Sequence, residues 1–202
     1  MSSFPLETAS DRRLRQREKA RRTILDASEE MLVSDGYEHF SMRKLAARCG
    51  YTAPTIYHYF GHKPGLLDTL VELRMNQLVE EMRSVPVGSD PVANVRRLFT
   101  AFARWGIENP THYQLLTARR DPDLAPLPSE QVAREILEGP IVQLAQQGRL
   151  AQNFETTRQV FWALLHGSVE LHRTRPDVEW SPQLIDVALE ALIHGLVLPE
   201  SR

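Results

Sequence analysis

The residues best equipped for chemistry lie together in Thr52-Ala53-Pro54-Thr55-Ile56-Tyr57-His58-Tyr59-Phe60, with Gly61, His62 and Lys63 directly after. At helical spacing Ile56 and Phe60 fall four apart and face inward, which leaves Thr52, Ala53, Thr55, Tyr57, His58 and Tyr59 outward or sideways. Tyrosine hydroxyls, an imidazole and a lysine are donors suited to phosphate oxygens. Thr52, Ala53 and Thr55, near the helix start, are small enough to let a helix sit deep in a groove and meet base edges or thymine methyls. The stretch therefore reads as a surface for double-stranded DNA.

Charge supports a polyanion at this end of the chain. The net charge is -2, yet residues 1–65 carry +3 and the remainder -5. Arg12, Arg13, Arg15, Arg17, Lys19, Arg21 and Arg22 are opposed over residues 12–22 only by Glu18. Such a basic segment attracts nucleic acid electrostatically.

Three helices are needed to position the stretch. Ile24, Ala27, Ser28, Met31 and Leu32 recur at helical spacing from about residue 19, and Gly36 ends the pattern. Ser41 is an N-cap, with Phe40 and Leu45 as a hydrophobic staple, for a helix over 42–49 that stops at Gly50. Arg43 and Lys44 lie in its first turn. Thr52 caps the next helix, whose first turn tolerates Pro54, and Gly61-His62-Lys63-Pro64-Gly65 ends it. Two short helices across a glycine turn behind a longer one make a helix-turn-helix, whose second short helix enters the major groove.

Residues 23–70, TILDASEEMLVSDGYEHFSMRKLAARCGYTAPTIYHYFGHKPGLLDTL, resemble the DNA-binding domain of the TetR family of bacterial transcriptional regulators. The resemblance rests on Gly36-Tyr37, Ser41-Met42-Arg43-Lys44-Leu45-Ala46, the Gly50 turn, Ile56-Tyr57 with Tyr59-Phe60, and Lys63. It implies that the helix from Thr52 docks in the major groove, with Tyr57, Tyr59 and Lys63 on phosphates. Tyr51, Tyr59 and Gly61-His62 depart from the usual family residues.

Beyond residue 63 the pattern stays helical over about 64–84, 91–108, 110–119, 129–147, 155–174 and 182–197, with Ser181-Pro182 as a helix start and Gly139-Pro140 as a kink or split. The expectation is an all-α protein of about nine helices. Its parts are a flexible basic arm (1–17), a helix-turn-helix domain (18–63) and a helical ligand-binding and dimerisation domain (64–202).

The last two helices are apolar over wide faces, including Leu164, Leu165 and Ser168 on one and Leu184, Val187, Ala188, Ala191 and Leu192 on the other. Such a pair needs a partner beyond its own domain. The resemblance implies a two-fold four-helix dimer interface here. A dimer also suits two recognition helices reaching successive major grooves about 34 Å apart.

Between the two ends lies an aromatic region of Phe99, Phe102, Trp105, Tyr113, Phe161 and Trp162, with Leu116, Arg119 and His166. Trp162, His166 and Gly167 resemble a subgroup of the family named for Trp-His-Gly. Family members bind inducers in this domain, and an aromatic cavity with few polar groups fits a small, mostly apolar effector. The implied mechanism is a homodimeric repressor on a palindromic operator, released when ligand shifts the fourth helix.

Other readings explain less. His166 with Glu170, Glu108 with His112 and Glu190 with His194 are spaced for shared metal ligation, but no third ligand is evident and no catalytic motif appears. An enzyme, a metal site and a cofactor are therefore not expected. A helical protein-protein adaptor accounts for the apolar terminal helices but not for the tyrosine-rich stretch. Cys49 is the sole cysteine, so no intrachain disulfide forms. The longest apolar stretch, 187–198, is broken by Glu190 and His194, and the N-terminus does not read as a signal peptide; a cytoplasmic protein without a membrane partner is expected.

Overall fold

The computed structural model describes residues 8–117 and 125–200. Among them the fold is all-α, with nine helices, one 3-10 turn and a single isolated bridge between Leu150 and Val197. No helix there is long and apolar enough to cross a membrane. The chain divides into two compact units, Met1–Val71 and Glu72–Arg202.

The first unit holds α1 (Ala9–Asp35), a 3-10 turn (Tyr37–His39), α2 (Met42–Cys49), α3 (Ala53–Phe60) and the start of α4 (Lys63–Ser84). The caps read from the sequence are formed. Ser41 Oγ accepts the Lys44 N–H and Thr52 Oγ1 accepts that of Thr55. Gly50 and Gly61 close α2 and α3 at φ of 72° and 74°, where a side chain is disfavoured. Ile24, Leu45, Ile56, Leu66 and Leu70 lose all their exposed surface in the core between these helices. Each such side chain contributes about 1.5–3 kcal/mol of burial.

The start of α1 differs from the expectation. It begins at Ala9, not near residue 19, so residues 9–17 of the expected arm are helical. A capping box explains this: Thr8 Oγ1 accepts the Asp11 N–H at 3.2 Å, and the Asp11 carboxylate accepts the Thr8 N–H at 3.0 Å. The residues that follow are mostly good helix formers with no Gly or Pro. All of residues 9–19 are exposed, so this part of the helix carries no apolar periodicity.

The second unit comprises the rest of α4, then α5 (Pro91–Glu108), α6 (Pro110–Thr117), α7 (Pro128–Gln146), α8 (Phe154–Thr174) and α9 (Leu184–Leu196). Helix α7 runs through Pro140 without splitting. The proline removes one backbone hydrogen bond, while burial of Ala133, Leu137, Ile141 and Leu144 holds both halves of the helix on one core. Helix α9 starts at Leu184 because residues 182 and 183 form a turn, with the Leu184 N–H donating to the Ser181 carbonyl. Arg96 and Glu190 join α5 to α9 by a bidentate ion pair, which holds the Glu190 carboxyl below the usual range.

Candidate nucleic-acid interface

Helix α3 turns Ile56 and Phe60 inward, with 0% and 7% of their surfaces exposed. Thr52, Tyr57 and His58 are exposed, whereas Ala53, Thr55 and Tyr59 are half-buried. The hydroxyls of Thr52 and Thr55 lie 2.8 Å apart. Part of their hydrogen-bonding capacity is therefore used within the helix. Arg43 and Lys44 are exposed on the first turn of α2, where the Lys44 ammonium reaches the His39 carbonyl at 3.4 Å.

Side-chain contacts tie α1 to α2 and to α3. Arg48 donates to Ser34 Oγ at 3.2 Å and lies 3.8 Å from Glu30, linking α2 to α1. The Arg21 guanidinium stands 5.0 Å from the centre of the Phe60 ring, linking α1 to α3.

A groove of about 540 Å³ opens beside α3, lined by Arg13, Gln16, Arg17, Lys19, Tyr51, His58 and Tyr59. Three cations, two phenols and an imidazole thus converge on a space next to the exposed face of α3. Phosphate contacts draw on donors of this kind. The helical periodicity could not show that Arg13 and Arg17 belong to this wall, because it carries no signal before residue 19. Tyr51 is read from the sequence only as a departure from a pattern, and in the structure it lines the groove.

Lys63 does not join this surface. It is half-buried, and its ammonium donates to the Phe40 carbonyl at 2.9 Å.

In the second unit, Phe99, Phe102, Trp105, Tyr113 and Phe161 are all buried, and Leu116 is half-buried. Trp162 keeps 44% of its surface exposed, and Arg119 lies outside the described residues. The rings cluster around His166, with centroids at 4.2 Å for Trp162, 5.5 Å for Phe102 and 5.7 Å for Tyr113. The Tyr113 hydroxyl lies 2.7 Å from His166 Nδ1, while His166 Nε2 is buried without a hydrogen-bond partner. Burial pushes the His166 pKa down to about 4 and, with the nearby Glu170 charge, pushes the Tyr113 phenol well up. Beside Phe99, Leu165 and Trp162 the packing leaves a cavity of about 10 Å³, the size of one water.

Of the residues expected at a dimer interface, Leu165 and Ser168 are buried within the single chain. Leu164, Leu184, Ala188 and Leu192 are half-buried, and Val187 and Ala191 are exposed. The outward stripes run through Ala163, Gly167 and Leu171 on α8 and through Val187, Ala191 and Gly195 on α9. The four-residue repeat is the same, shifted from the expected α8 positions. Of the carboxylates spaced for metal ligation, Glu170 and Glu190 are ion-paired to Arg173 and Arg96.

Comparison with known proteins gives a family match over part of the chain and a shared fold. The family model "Bacterial regulatory proteins, tetR family" matches residues 24–70. The "Fatty acid metabolism regulator protein" of Bacillus subtilis (strain 168) is 36% identical over 59 residues, a segment spanning 29% of the chain and 30% of that relative. A TetR family transcription regulator from Marinobacter aquaeolei VT8 is 19% identical with a TM-score of 0.69, covering 92% of the chain and all of that structure. The transcriptional regulator FadR from Bacillus subtilis in complex with stearoyl-CoA is 20% identical with a TM-score of 0.66, covering 86% and 98%. These likenesses to solved structures establish the fold.

Proposed function

We propose that the chain, whose residues 24–70 match the model of the TetR family of bacterial regulatory proteins, is a ligand-released transcriptional repressor that binds a palindromic operator as a homodimer. One observation carries the reading: α3 presents Thr52, Tyr57 and His58 to solvent beside a groove walled by Arg13, Arg17 and Lys19. Base edges are met by the start of α3, with Thr52, Ala53 and Thr55. Phosphates are held by Tyr57, His58 and Tyr59, by Arg43 and Lys44, and by the basic first half of α1. The cations supply a salt-dependent affinity through counterion release.

Two-fold pairing through the outward stripes of α8 and α9 completes the assembly. Ala163, Gly167, Ala191 and Gly195 are small enough for close helix approach, and Leu171 and Val187, 45% and 63% exposed, supply apolar area. Dimerisation makes the operator symmetric.

The aromatic cluster around His166, with its Trp-His-Gly residues, is the effector site, and its ligand is small and mostly apolar. The packed interior opens to admit it. Binding releases DNA only through a higher affinity for the state that does not hold operator, typically by about 1–3 kcal/mol of coupling. Because the Bacillus subtilis relative of the same fold is solved with stearoyl-CoA, acyl-CoA esters of graded chain length are the first probes.

Selection of bound duplexes from a random pool tests the reading. A recovered two-fold symmetric sequence, bound with a steep salt dependence, is the expected result. Recovery of no preferred sequence, with no binding at low salt, favours a protein-protein adaptor.

A further inference from the structure

Lys63 opens α4, three residues after α3 ends at Phe60. A cation in the first turn of a helix meets the positive end of the peptide dipoles, so α4 itself gives the ammonium no reason to stay near its axis. The side chain turns away and reaches back across 23 residues of sequence to the connection between α1 and α2. There Nζ donates to the Phe40 carbonyl oxygen at 2.9 Å and stands over two rings, 5.4 Å from the centre of Tyr37 and 5.5 Å from that of Phe40. A charged donor, a carbonyl and two aromatic faces make a partly desolvated clamp. The Phe40 side chain below it is only 3% exposed, so the clamp is seated on the core.

The geometry points to Lys63 as a positioning residue for the DNA-binding surface and not as a phosphate contact. Its ammonium ties the first turn of α4 to the residue that precedes the N-cap of α2, and α2 and α3 are the segments enclosed between them. The Gly50 turn holds one end of α3 and Lys63 holds the other. The carbonyl takes one of the three N–H donors of the ammonium, and a phosphate contact that turned Nζ outward would draw it away from both rings. This inference rests on the reading of α3 as the helix that faces DNA.

The sequence has three lysines, Lys19, Lys44 and Lys63, so the clamp is directly observable. In the full-length protein labelled with 13C at lysine Cε, the Lys63 methylene is expected upfield of the other two through ring currents from Tyr37 and Phe40. It is assigned by its loss in Lys63→Met, and it should stay upfield when duplex is added. A Lys63 signal alongside those of Lys19 and Lys44, or one that moves there on binding DNA, overturns the clamp.

Binding separates the two roles independently. For Lys63→Met, affinity for the selected duplex is expected to fall roughly tenfold, as for loss of a charged hydrogen bond. Affinity for a scrambled duplex and the salt dependence of both should match wild type. Equal weakening on both duplexes, with a salt slope lower by about 0.9, identifies a phosphate contact and overturns the inference. If the wild type binds neither duplex, the DNA-binding reading fails, and the methylene shift of the free protein still decides the clamp.

Discussion

The Tyr113 hydroxyl and His166 Nδ1 lie 2.7 Å apart, joining α6 to α8 inside the aromatic cluster of the second unit. Tyr113 is 1% exposed, so its hydroxyl depends on this partner and on the His166 carbonyl at 3.3 Å. Tyr113→Phe leaves the imidazole without that bond and is expected to destabilise the unit by about 1–3 kcal/mol. Urea unfolding followed by tryptophan fluorescence reports it, since Trp105, Trp162 and Trp180 all lie in this unit. An unchanged midpoint contradicts the bond.

The same pair makes stability depend on pH. Burial lowers the His166 pKa from 6.5 to about 4 in the folded state. Between these values the unfolded chain binds more protons, so stability rises with pH through this window and is lost as pH falls from about 6.5 towards 4. The full loss is up to about 3 kcal/mol. His166→Asn removes this component, so its unfolding midpoint should change less than that of wild type between pH 7 and pH 4.5. Identical pH dependence in the two proteins refutes the assignment.

Helices α5 and α8 touch at Gly106. A Cβ there would lie 2.8 Å from Val169 Cγ1 and 3.2 Å from the Tyr113 ring. Gly106→Ala is expected to cost about 1–3 kcal/mol through overpacking. Val169→Ala in the same chain relieves the contact with Val169 and should recover part of the thermal stability lost. Wild-type stability in Gly106→Ala alone would rule out the close approach.

The first turn of α4 uses an uncommon cap. His62 Nδ1 accepts the Gly65 N–H at 2.9 Å, and the His62 carbonyl accepts from Leu66 at 3.0 Å. The imidazole thus takes the place of the usual Ser or Asn side chain. His62→Ala is expected to lower stability by about 1 kcal/mol, whereas His62→Asn keeps the cap and stays near wild type. Equal losses in the two variants argue against a capping role.

Elements bounded by caps were readable before the structure, because Ser41, Gly50, Thr52 and Gly61 act within a few residues of themselves. The inward faces of α3 and of the core helices followed from apolar spacing. The start of α1 did not, since a capped polar helix with no buried face carries no periodicity. Nor did the direction of Lys63, which is set by a carbonyl and two rings 23 or more residues earlier. Leu165 and Ser168 sit beside the outward stripe of α8, and on a helix apolar on several sides spacing alone does not tell which stripe faces the core.

The central claim is that the exposed face of α3 meets DNA, and hydroxyl-radical footprinting of the full-length protein with and without the selected duplex tests it most directly. Tyr57, 46% exposed in the free protein, and His58 are expected to become protected, while Tyr113 stays unreactive in both states. Equal oxidation of Tyr57 with and without bound duplex would contradict the account.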